Sequence, residues 1–160
     1  MDCKNVNIIE TKRKKSKYKV NAVKDQMIKK IKIKSKVESL RTVENAIDNI
    51  TGEEGISLDN YGKILVSVLE AVNNAIVHGN KADANKNVDI EIKLNKNDLI
   101  VIIKDEGIGF KPEDIPDPTD PENIEAINGR GVFLMSKLAD DIRFNKKGNN
   151  VTMKFKNIKT

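Results

Sequence analysis

Residues 70–80 read Glu-Ala-Val-Asn-Asn-Ala-Ile-Val-His-Gly-Asn. Around and ahead of them Ile64, Leu65, Val68, Leu69, Val72 and Ile76 recur at helical spacing, so one helix is expected from Leu58 to about His78, with Gly79 ending it. Within that helix Glu70, Asn74 and His78 stand four residues apart. On a 3.6-residue turn each is rotated by about 40° from the last, so all three project from one stripe beside the apolar face. Burying a carboxylate, a carboxamide and an imidazole without partners would cost ~1 to 3 kcal/mol apiece. A bound metal or ligand would supply partners; taken alone, the triplet is equally well read as a polar face in solvent.

Downstream, Val88 to Leu94 alternates in polarity and Leu99 to Ile103 is a continuous aliphatic run, with Asn95 to Asp98 between them as a hairpin turn. The continuous run implies burial on both faces or a central position in a sheet. Directly after it comes Asp105-Glu106-Gly107-Ile108-Gly109-Phe110. Glycines there permit close backbone approach, and a carboxylate at a strand's end can accept hydrogen bonds from an exocyclic amine. In isolation the stretch is also an ordinary turn. Further on, Gly129-Arg130-Gly131 is expected to open a helix from Val132 to Leu138, where free N–H groups and the helix dipole favour a phosphate. A glycine hinge before a helix is the plain alternative.

Upstream, an ordered chain is expected to begin near Ile28, where Ile31 and Ile33 alternate with Lys30, Lys32 and Lys34 as in a half-buried edge strand. Ser35 and Glu38 read as a capping box ahead of Leu40, Val43, Ile47 and Ile50, one face of a first helix, with a loop from Thr51 to Ser57. Lys111 to Asn128 carries Pro112, Pro116, Pro118 and Pro121 and reads as a loop; Ile142 to Phe144 and Val151 to Phe155 form a last hairpin. Strand, two helices, two strands, long loop, helix and two strands define an α/β (α+β) two-layer sandwich, with helices on one face of a mixed, largely antiparallel sheet.

The chain has 160 residues, 29 Lys+Arg against 24 Asp+Glu, and a formal net charge of +5. The charge is not spread evenly: residues 1–36 hold 13 basic and 3 acidic residues, whereas the remaining 124 hold 16 and 21. Residues 1–25 show neither apolar period and read as a basic flexible arm, leaving 26–160 as the domain. The apolar stretch from Ile64 to Val77 is interrupted by Ser67, Glu70, Asn73 and Asn74, so no membrane span of ~20 residues is expected. The lysine-rich start does not resemble a signal peptide, and a single cysteine, Cys3, excludes a disulfide framework and a cysteine-rich zinc site. The expected compartment is the cytoplasm.

Taken together and in this order, the three stretches resemble the N, G1 and G2 boxes of the gyrase, Hsp90, histidine kinase and MutL (GHKL) superfamily, whose ATP-binding domain is the Bergerat fold. Within it the wording is most similar to anti-sigma regulatory factors that are serine/threonine protein kinases, of the anti-sigma factor W and sporulation anti-sigma factor type. The resemblance covers roughly Ile28 to Phe155 and implies the following assignments. Asp105 binds the adenine amine, and Gly107 and Gly109 let the backbone pass the base. Asn74 is a Mg²⁺ ligand, and Glu70 is the general base that deprotonates an incoming serine or threonine hydroxyl. Gly129, Arg130 and Gly131 hold the phosphates of ATP, with Lys111 to Asn128 as the lid. It further implies a homodimer that binds a sigma factor and phosphorylates an anti-sigma factor antagonist of the STAS type.

One departure bears on the chemistry. The sporulation type has an arginine two residues before the first glycine of the G2 box, and here that residue is Ile127. A cation on the transferring phosphoryl group is worth on the order of 10³ to 10⁵ in rate in related systems. Arg130 is the candidate replacement. Without one, the chain would be an ATP-binding regulatory module of a partner-switching pathway that transfers no phosphate. His78 takes no catalytic role in this reading. A histidine kinase catalytic domain is disfavoured, because the only histidine lies within the N box and no helix bearing a phosphoacceptor histidine precedes it. Nucleic-acid binding by the arm rests on charge alone, with Tyr18 the one aromatic among its lysines.

Overall fold

Polarity alternation sets the first strand of the computed structural model, which describes residues 26–111 and 127–159. In Gln26–Lys34 (β1), Met27, Ile31 and Ile33 pack on the core, while Lys30, Lys32 and Lys34 are exposed. The other strands are Asn87–Asn95 (β2), Asp98–Asp105 (β3), Asp141–Phe144 (β4) and Asn150–Phe155 (β5). They form one five-stranded sheet in the order β1-β2-β3-β5-β4, and each neighbouring pair is antiparallel. Register places Ile90 opposite Ile103, Ile92 opposite Val101 and Val101 opposite Met153, all buried on a single face. The continuous run Leu99 to Ile103 therefore reflects the central position of β3. Its Ile100 and Ile102 are only half-buried on the other face.

Three helices supply the opposing layer: Leu40–Glu54 (α1), Leu58–Asn74 (α2) and Ile127–Leu138 (α3). Val43, Ile47 and Ile50 of α1, Ile64, Val68 and Val72 of α2 and Met135 of α3 join the strand residues in one core. Burying each of these side chains contributes ~1.5–3 kcal/mol relative to exposure. After Phe155 the tail crosses back: Ser57 N–H donates to Ile158 O at 3.0 Å, and Ile158 N–H donates to Asn97 O at 2.9 Å. Ile158 itself is buried, so the tail clasps the α1–α2 turn to the β2–β3 hairpin. Among the described residues, no helix is long and apolar enough to cross a membrane.

Four local expectations are revised. Ser35 does not cap α1, whose N-terminal residue Ser39 makes no side-chain cap; Ser35 is buried and serves elsewhere. The first helix runs past Thr51, whose Oγ1 donates to Ile47 O at 2.9 Å, and stops at Gly55, where φ is 65°. The second helix does not stay regular to His78: Ala75–Gly79 is a π-helical turn in which Asn80 N–H reaches back to Ala75 O at 2.8 Å. Finally, Gly129, Arg130 and Gly131 lie within α3, which already includes Ile127, and not ahead of it. The basic arm 1–25 and most of the lid expected from Lys111 to Asn128 lie outside the described residues.

Candidate functional site

The carboxyl end of α2 is where the three stretches meet. Glu70 and Asn74 are half-buried one turn apart and face α3 at Gly131. A Cβ placed on Gly131 would collide with Glu70 Oε1, lie 3.0 Å from its Cδ and stand 3.1 Å from Asn74 Nδ2. A side chain at 131 would displace the Glu70 carboxylate from its place against α3, so the bare glycine leaves room for Glu70 and Asn74 there.

A second contact forms one π-turn further along. A Cβ on Gly79 would lie 2.5 Å from Asp105 Cγ and 2.7 Å from Oδ1, so the carboxylate rests on the bare backbone of residue 79. Gly107 faces Gly79 O in the same way. Asp105 is the last residue of β3 and only 8% exposed. Gly107 N–H donates to its Oδ1 at 2.8 Å. Burial pushes the Asp105 carboxyl above the usual carboxylate range, and the Gly107 N–H, Lys147 and Lys86 pull it part of the way back. The loop then turns at Gly109, where φ is 79°, and Phe110 packs edge-on against Phe144 with ring centroids 5.4 Å apart.

His78 lies within this π-turn and is exposed. Turns of this kind recur at functional sites, and here one brings Gly79 under Asp105. The chain leaves the turn through Lys81 and Ala82, whose φ values of 57° and 54° are left-handed, an unfavourable state for residues with a Cβ. Arg130 is exposed, one residue from Gly131.

Sequence reasoning missed two buried asparagines. Asn80 is 0% exposed and joins the end of β1, the start of β2 and the loop after Asp105. Asn149, 6% exposed in the β4–β5 turn, brackets Asp105 from the other side. Asn80 directly follows the glycine expected to end the helix, and a polar residue there reads as an ordinary turn. Nothing in the local pattern marks it as buried.

For a divalent cation, the described residues contain no cluster of three or more His, Cys, Asp or Glu side chains. The Asn74 carboxamide nevertheless suits Mg²⁺ bound with a nucleotide, since that ion keeps several waters and phosphate oxygens and needs few protein ligands.

This architecture, an antiparallel sheet backed by helices with a helix end meeting a glycine-rich loop, matches a known domain class. The chain belongs to the family described as "Histidine kinase-like ATPase domain", whose model matches residues 33–155. Among curated proteins it is 28% identical to the serine-protein kinase RsbW of Bacillus subtilis over 130 residues, 77% of this chain and 81% of that protein. It is 30% identical to the anti-sigma F factor of Clostridium perfringens over 62% of this chain and 75% of that protein. Among solved structures it is similar in fold to the RsbU and RsbW domains of a Mycobacterium tuberculosis protein, with a TM-score of 0.57 at 16% identity. That match covers 81% of this chain but only 31% of the other, and it speaks to fold alone.

Proposed function

We propose that the chain is an ATP-dependent serine/threonine protein kinase acting as an anti-sigma regulatory factor, which binds a sigma factor and phosphorylates an anti-sigma factor antagonist of the STAS type. The observation that carries this reading is the convergence on one helix end of Glu70 and Asn74 with Gly131, and of Gly79 with Asp105 and Gly107. Relatives named as serine-protein kinases and anti-sigma F factors support the same direction. The reading places the protein in the cytoplasm as a homodimer.

In this reading Asp105 accepts from the adenine amine, and the glycine backbone at 107 and 109 leaves room for the base. Residues 70 and 79 lie along one helix and the π-turn that continues it, so the base subsite and the reacting end are laid out along its length. Asn74 offers its carboxamide oxygen to Mg²⁺, which supplies neutralisation of phosphate charge when bound. Glu70, one turn earlier, orients the substrate hydroxyl and takes its proton. Gly129, Arg130 and Gly131 hold the phosphates, with the Arg130 guanidinium in the role left open by Ile127.

Ile127 keeps a second reading alive, an ATP-binding regulatory module without phosphotransfer. Pull-down from the source cell with ATP or ADP present, followed by phosphosite mapping, separates the two. The kinase reading expects nucleotide-dependent partners, one of them carrying phosphate on serine or threonine. Nucleotide-dependent partners without a phosphosite favour the module, and recovery that ignores nucleotide contradicts both.

A further inference from the structure

Asp105 stands where the sheet stops holding the chain. The β3–β5 ladder ends at Lys104 opposite Asn150, and the β2–β3 ladder ends at Asp105 opposite Val88. Beyond that point the peptide between residues 105 and 106 has no strand partner to fix it. Two buried side-chain amides do so instead. Asp105 O accepts from Asn149 Nδ2 at 3.1 Å, while the preceding peptide is held main chain to main chain, Asp105 N–H donating to Asn149 O at 3.0 Å. The next N–H, that of Glu106, donates to Asn80 Oδ1 at 2.8 Å.

Both amides are themselves oriented. Asn80 Nδ2 donates to Ser35 Oγ at 2.6 Å and to Asn87 O at 2.8 Å, which uses its two hydrogens and leaves Oδ1 facing Glu106. Asn149 Oδ1 accepts from Asn145 Nδ2 at 2.9 Å, and Asn149 N–H donates to Asn145 Oδ1 at 3.1 Å. Buried amides bonded at both ends cannot rotate without leaving a polar group unpaired. The backbone on either side of the Asp105 side chain is thereby fixed, and with it the direction of the carboxylate.

We propose that Asn80 and Asn149 are positioning residues for base selection: by clamping the Asp105–Glu106 peptide they aim the Asp105 carboxylate at an adenine amine and against a guanine carbonyl. The proposal rests on the reading of Asp105 as the adenine acceptor. Adenine presents a donor where guanine presents an acceptor, so a rigid carboxylate favours the first and repels the second. A carboxylate free to swing aside would lose that distinction while the phosphate end of the site still bound either nucleotide.

The test measures affinities of the full chain for Mg-ATP and Mg-GTP by calorimetry in five proteins: wild type, Asn80→Ala, Asn149→Ala, Ser35→Ala and Asp105→Asn. Asn80→Ala and Asn149→Ala are expected to lower the ATP-over-GTP ratio about tenfold, the equivalent of one well-aimed hydrogen bond. Ser35→Ala perturbs the same buried network without touching the Asp105–Glu106 peptide. It is expected to melt earlier yet keep the ratio within about twofold. If folded Asn80→Ala and Asn149→Ala retain the wild-type ratio while Asp105→Asn loses it, the positioning role is overturned and the Asp105 reading stands. If Asp105→Asn keeps the wild-type ratio, the Asp105 reading itself fails and takes the proposal with it. Should Asn80→Ala not fold, Asn149→Ala decides alone, by the same criterion.

Discussion

Asp105 is held at a cost to the nucleotide-free fold. Its carboxyl is raised chiefly by burial, so the folded state binds its proton more tightly than the unfolded chain does. A group raised in this way favours folding below its unfolded pKa, and that contribution is lost as pH rises through the folded value. Asp105→Asn removes the buried charge while leaving an oxygen for the Gly107 N–H. The variant is expected to melt above wild type at neutral pH without nucleotide, the difference closing as pH falls toward about 4, and to lose ATP affinity. Thermal melts across that pH range together with nucleotide titration check both halves, and a variant that melts below wild type at neutral pH contradicts the account. At Gly131 bareness serves the chemistry. Gly131→Ala sets a methyl where the Glu70 carboxylate lies and displaces it, so phosphotransfer is expected to weaken while denaturant unfolding shifts by no more than about 1 kcal/mol, the alanine gaining helix propensity inside α3.

At the scale of elements, the strands and helix faces were legible because their signals are local. Ile31 and Ile33 against Lys30, Lys32 and Lys34 gave the edge strand β1, and the spacing of Ile64, Val68 and Val72 gave the buried face of α2. What escaped depended on tertiary partners. Ser35 satisfies the local rule for a helix cap, yet its hydroxyl is taken by Asn80, 45 residues away, and α1 begins later. The π-turn at Ala75–Gly79 has no local signature, since an extra residue there gains its reason from the fit of Gly79 beneath Asp105. The same holds for the glycines of α3, read as an opening and found inside the helix. The tail shows the reverse case, a short segment whose value lies wholly in what it joins. Ile158→Ala empties a buried position between the α1–α2 turn and the β2–β3 hairpin, with an expected loss of ~2–5 kcal/mol in urea unfolding. A loss below ~1 kcal/mol would mean the tail is not part of the cooperative unit.

For the whole molecule, part of the positive charge counted in residues 1–36 belongs to the sheet. Five of the thirteen basic residues in 1–36 are Lys29, Lys30, Lys32, Lys34 and Lys36, on or just beyond β1. Lys32 lies 3.2 Å from Asp89 and Lys30 3.7 Å from Glu91, so these lysines of β1 pair with acidic side chains of β2. Such exposed pairs are worth ~0–1 kcal/mol each and set sheet-surface complementarity more than stability. Charge therefore says little about what the protein does, and the claim of function rests on two contacts along one helix, Glu70 and Asn74 with Gly131 and Gly79 with Asp105. Transfer of labelled γ-phosphate from Mg-ATP to the partner recovered from the source cell tests that claim most directly, with wild type and Glu70→Gln compared and ATP affinity measured in parallel. Serine or threonine labelling by wild type is predicted, with a fall on the order of 10² to 10⁴ in the variant while ATP affinity holds within about threefold. Equal labelling by both proteins, or a wild type that binds no Mg-ATP, would contradict it.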